Sequence, residues 1–193
     1  MKKKYLHKRS SEIFRKRYRK LNIDRRAVFL LFLCLFLALI EKKIIFVIIF
    51  SLINALLLSI ERRTGISQDI EFSTFSSILF TLAYGIYWGL FMGFFTRFVA
   101  NIYNSTFRID HVFMVVGYWI AAFIALGLQP LNVMYIGFIA TIIVNIYIFL
   151  VSKYVTMLSP FEIMMYGGSN LIFNLLLFSI LSNPVLKLML LIK

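Results

Sequence analysis

Apolar residues in this chain gather in seven runs: 27–40, 44–60, 72–84, 86–103, 111–127, 131–152 and 161–182. A spanning helix needs about 20 such residues to cross about 30 Å of hydrocarbon. Segments 131–152 and 161–182 meet that length easily, and 44–60, 86–103 and 111–127 are adequate. Segments 27–40 and 72–84 reach only about 20 Å at the helical rise, so they either thin the bilayer or sit inside the bundle. The pattern predicts one all-α integral membrane domain over residues 27–193. Most connections are short. The exception, Glu61 to Glu71, holds five of the fifteen charges found after residue 26 and is large enough for a covering loop or a docking surface. Pro130, Pro160 and Pro184 stand at segment ends, where a missing N–H costs least.

Composition supports this reading. The chain is 61% hydrophobic and 15% charged, against about 25% charged in an average globular chain, and its mean hydropathy is +0.88. Charge is concentrated at one end. Residues 1–26 hold twelve of the 21 Lys and Arg and two of the eight acids. Basic residues beside the first span mark the cytoplasmic side, which predicts a cell-membrane protein with its N-terminus inside. Within this arm Phe14, Tyr18 and Leu21 fall on one helical face, with Arg15, Lys16, Arg19 and Lys20 around the others. Such a stretch either lies on anionic lipid headgroups, each basic residue contributing about 1 kcal/mol, or serves as an orienting tail. Nucleic acid is not an expected partner, because no base-reading module accompanies the charges. Counting Lys and Arg around the spans does not separate six crossings from seven. Cys34 is the single cysteine, so no internal disulfide forms.

Gly85, Gly89 and Gly93 follow one another at intervals of four, and Arg97 comes one turn later. At helical pitch these four share a flat face ending in a fixed charge. In lipid, small residues let helices pack closely, so Gly85, Gly89 and Gly93 are expected to form a helix-packing surface. A membrane-embedded arginine costs about 2.5–3.5 kcal/mol on insertion scales. Arg97 therefore either snorkels toward the headgroups or pairs with Asp69, Glu71, Asp110 or Glu162. Asn54, Asn101, Asn145, Asn170 and Asn174 also lie in or beside apolar segments, with Asn170 and Asn174 on one face of the last. These two amides either line a polar cavity or bond to neighbouring carbonyls. Aromatics near segment ends, among them Tyr84, Tyr87, Trp88, Tyr103, Tyr118, Trp119 and Tyr135, read mostly as interfacial belts.

Enzyme signatures are missing. His7 and His111 have no metal-ligand companions at the required spacing, and neither a phosphate-cradling glycine loop nor a nucleophile elbow is present. No catalytic residue, metal or cofactor is expected.

The stretch from Phe72 through Tyr84-Gly85-Ile86-Tyr87-Trp88-Gly89-Leu90-Phe91-Met92-Gly93-Phe94 resembles the substrate-binding S components of energy-coupling factor vitamin transporters. In those six-helix proteins a short apolar helix ends in a glycine turn, and a Gly-x-x-x-Gly helix follows. The last segment, from Asn170 and Asn174 to Pro184 and Lys187, looks like their final helix. The rod-shape family MreD is similar in both places. The S-component resemblance implies a six-helix transmembrane bundle whose first core helix is Ile44–Ile60, preceded by the arm and an extra short apolar helix. It also implies a cytoplasmic C-terminus. Glu61–Glu71 would cover a small-molecule ligand, and Arg97, Asn170, Asn174, Glu71 and Asp69 would shape its site. An energising membrane partner would then be needed. The MreD likeness implies instead a scaffold that holds protein partners through the glycine face and the arm. The chain departs from the S-component pattern in having no proline near Phe72. It also has no alanine-x-x-x-alanine seam in 44–60.

Overall fold

Six α-helices carry the residues described by the computed structural model, 41–64 and 69–192, and no strand occurs among them. They are α1 (Lys43–Thr64), α2 (Ser73–Tyr84), α3 (Ile86–Asn104), α4 (Ile109–Gly127), α5 (Val133–Tyr154) and α6 (Pro160–Ile192). Each grows from one apolar run of the sequence. Segment 27–40 and the arm with Arg15, Lys16, Arg19 and Lys20 lie outside the described residues.

Among the described residues, four stretches are long and apolar enough to cross a membrane: Lys43–Ile60 of α1, and α4, α5 and α6. Their outward faces suit lipid. On α1, Ile45, Ile49, Leu52, Leu56 and Ile60 form an exposed apolar stripe at helical spacing. Phe91, Phe94, Phe98 and Ile102 do the same on α3.

The short helix α2 takes the second of the two courses open to it. Ten of its twelve residues are buried, and it packs against α3, α4, α5 and α6. Its core contacts are aromatic. Phe75, fully enclosed, meets Phe72 at 4.9 Å and Phe178 of α6 at 5.0 Å between ring centroids, and Phe50 of α1 meets Phe72 at 5.1 Å. Hydroxyls fill the rest of its surface. Ser77 Oγ lies 3.0 Å from the Gly89 carbonyl and 2.9 Å from that of Tyr118, tying α2 to α3 and α4.

Three expectations change here. Gly85 is not part of the packing face: it is the single residue joining α2 to α3, with φ +97° and ψ 169°. An added Cβ would meet nothing within 4 Å there, so backbone conformation, not close approach, requires the glycine. The polar connection after α1 is shorter than Glu61–Glu71, because helix continues to Thr64. Pro184 lies inside α6 instead of ending it. The helix beyond it is held by packing, since Met189 is buried and its carbonyl accepts from the Tyr84 hydroxyl at 3.1 Å.

Consecutive helices alternate in direction. At one end, Lys43 Nζ stands 4.6 Å from the centre of the Trp88 ring, Tyr84 reaches Met189, and Asn183 reaches Asn132 at 3.4 Å. These contacts gather the starts of α1, α3 and α5 with the ends of α2 and α6. The α3–α4 and α5–α6 connections lie at the other end.

Candidate functional site

Gly89 and Gly93 set the spacing on which the site depends. A Cβ on Gly89 would overlap Thr81 Oγ1 and come within 2.8 Å of the Ser77 carbonyl; one on Gly93 would come within 2.9 Å of Tyr118 Cβ. The smooth strip of α3 is therefore pressed between α2 and α4, as its spacing predicts. One turn further, this placement carries Arg97 into the interior, where only 2% of its surface is exposed.

Because α2 is short, the chain that precedes it enters the bundle below the ends of the longer helices. Non-helical backbone at such depth survives only where protein satisfies its polar groups. Here it does. The Asp69 amide donates to Ser169 Oγ at 2.9 Å, and the Phe72 amide donates to Asn54 Oδ1 at 2.6 Å. Asn54 Nδ2 in turn donates to Ser73 Oγ at 3.0 Å and to the Thr96 carbonyl at 3.1 Å.

Two carboxylates arrive with this segment and take different partners. Glu71 is 1% exposed and turns back onto α2. Its Oε2 accepts from the Ser73 amide at 2.9 Å, and its Oε1 accepts from the Thr74 hydroxyl at 2.8 Å and more weakly from the Thr74 amide at 3.4 Å. The carboxylate thereby satisfies orphan donors of the first turn and sits at the positive end of the helix dipole. Asp69 reaches α3 and α6. Its Oδ1 is 3.7 Å from Arg97 Nη1, and its Oδ2 accepts from Asn170 Nδ2 at 3.0 Å.

From Asp69 the polar chain continues through amides. Asn170 Oδ1 accepts from Asn145 Nδ2 of α5 at 3.0 Å and from Asn174 Nδ2 at 3.2 Å. The same two Nδ2 groups also reach the carbonyls of Thr141 and Asn170 within their own helices. Arg97 Nη2 lies 3.1 Å from Met114 Sδ of α4. Asp69, Glu71, Tyr118, Asn145 and Asn170 border one small void of about 10 Å³ for water-sized centres, room for about one water.

The structure thus brings Arg97, Asp69, Asn170 and Asn174 into one cluster and places Glu71 on its edge. Among the acids considered for Arg97, Asp110 pairs instead with Arg108 at 3.1 Å, and Glu162 forms a reciprocal cap with Ser159 at the start of α6. Sequence reasoning did not assign Asn145, Ser169, Met114 or Tyr118 to the site. An amide in a long apolar helix was a signal for Asn145. Tyr118 was read as interfacial, but it is buried against Gly93. Among the described residues, no group of three His, Cys, Asp or Glu side chains stands together to hold a metal ion.

No family model, curated protein or solved structure matches the chain.

Proposed function

We propose that this protein is a non-enzymatic, multi-pass cell-membrane subunit that binds a small polar molecule for transport, in the manner of an S component. The observation that carries this reading is the connected cluster of buried Asp69, Arg97, Asn170 and Asn174 with half-buried Asn145 inside the helical bundle. Ionisable groups at membrane depth are costly and mark pathways or binding sites by default. Sites of this type lie in transporters where a short helix ends inside the bilayer with its N-terminus toward the ligand. In support, α2 is short and buried in the bundle, with Glu71 at its N-terminus. In this proposal the chain crosses the membrane six times, the N-terminus is cytoplasmic, and a partner subunit supplies energy.

Thermal melting of the purified chain against a panel of vitamins tests it. A ligand at one hundred times its Kd stabilises by about 2.7 kcal/mol, a rise of several degrees that Asn174→Leu should abolish. A flat response to the whole panel would overturn the reading.

A second reading, an MreD-like scaffold that holds membrane protein partners, is favoured by the size of the void beside Asn170, which holds about one water. In that case a protein partner should copurify with the chain, while no small molecule changes the melting temperature.

A further inference from the structure

A second cavity lies outside the polar cluster, between α5 and the first half of α6. It is a groove of about 670 Å³, open on the outer face of the bundle. Ile142, Ile146, Phe149, Ile163, Met164 and Leu171 form most of its wall. Gly167 and Gly168 form its floor: a Cβ at Gly168 would meet nothing within 4 Å, and one at Gly167 would meet only Asn145 Oδ1, at 3.7 Å. The glycine pair keeps open a space that ordinary side chains would fill.

Length and charge together indicate what fits. Along α5 the lining runs from Ile142 to Lys153, about 16 Å at the helical rise. That is close to the depth of one leaflet, half of the roughly 30 Å hydrocarbon core. Lys153 stands at the end of α5 and is the only charged residue of the lining. Among the described residues no carboxylate forms an ion pair with it; its ammonium lies 5.1 Å from the centre of the Tyr154 ring. A cation at headgroup level above an apolar slot of single-chain length has the polarity of an anionic amphiphile.

We propose that this groove binds one acyl chain of an anionic bilayer phospholipid, with the lipid phosphate on Lys153. The proposal requires only that α5 and α6 lie in a membrane, and it stands whether or not the polar cluster binds a solute. Ile148, Asn145, Tyr166 and Gly167 border both the groove and the small void beside Asp69. A chain seated in the groove therefore touches the outer wall of the Asn145–Asn170 pair.

The basic arm also attracts anionic lipid, so the test must report position. The full chain is reconstituted in phosphatidylcholine vesicles that contain a trace of either phosphatidylglycerol or phosphatidylcholine with a photoreactive acyl chain, and crosslinked peptides are mapped. Phosphatidylglycerol should label 142–171 several-fold more than phosphatidylcholine does. Lys153→Gln should remove that preference. Gly168→Leu, whose Cβ meets nothing within 4 Å and whose branched end extends into the groove, should abolish labelling of 142–171 by both lipids while leaving helix content and melting temperature intact. Equal labelling by the two lipids, a preference that survives Lys153→Gln, or undiminished labelling in Gly168→Leu would each overturn the proposal.

Discussion

Single residues decide whether this bundle closes, and two glycines of the ladder do so for different reasons. Gly85→Ala should cost about 1–3 kcal/mol because its backbone sits in a region that essentially only glycine occupies. Gly89→Ala should cost a similar amount, about 1–3 kcal/mol, through overpacking against Ser77 and Thr81. Gly127→Ala, whose Cβ would meet nothing within 4 Å, should leave stability unchanged or raise it. Melting temperatures of the three variants check this ordering, and a loss in Gly127→Ala equal to the others would refute it. For Arg97, replacement by methionine leaves Asp69 without its guanidinium, and breaking a buried pair in this way costs about 3–5 kcal/mol. Asp69→Asn in the same chain should recover part of that loss, giving a coupling above about 0.5 kcal/mol in a double-mutant cycle. Additive effects would mean that the pair carries no coupling energy.

At the scale of elements, α2 organises the interior, and Phe75 is its tightest joint. Phe75→Ala removes a fully buried ring that contacts Phe50, Phe72 and Phe178. Truncations of this type cost about 3–5 kcal/mol, and a denaturation midpoint barely different from that of the parent would contradict the central role given to α2. The starts of the six described helices were legible from hydrophobic runs, because polar interruptions report turns directly, but α6 continues to Ile192, beyond the run that ends at 182. What the runs did not carry was depth. Asp69 and Glu71 read as candidate partners of Arg97 on a polar covering loop, not as buried groups, since composition records charge but not whether neighbouring helices supply partners. Ser169, Asn54 and the first turn of α2 supply them, which is a property of the assembled bundle. Arg97 and the Asn170–Asn174 pair were legible as polar exceptions in apolar helices. Their joining through Asn145 depends on how α5 and α6 pack, and no single helix shows it. Gly85 fell between two runs, as the glycine turn of the resemblance implies, yet its spacing also put it on the packing face, because a four-residue spacing continues as readily through a turn as through a helix.

For the whole molecule, the alternation of helix direction makes a prediction about sidedness. With Cys34 replaced by serine, single cysteines at Glu41 and Leu131 should react with an impermeant thiol reagent from the same side of the membrane. Cysteines at Thr106 and Met157 should react from the opposite side. Labelling of Glu41 and Thr106 positions from one side would contradict six crossings. Such an arrangement also closes on itself late. The segment around Asp69 meets its partners Ser169 and Asn170 a hundred residues further on, and Phe75 meets Phe178.

That separation has a consequence for biosynthesis. A ribosome delivers α2 to the translocon long before α6 exists, and α2 is too short to cross lipid alone. The nascent chain must hold this helix in a provisional state, with Asp69 and Glu71 still wet, until the C-terminal third emerges. A product truncated before residue 169 should therefore be a substrate for membrane proteolysis, even though most of its spans are already made.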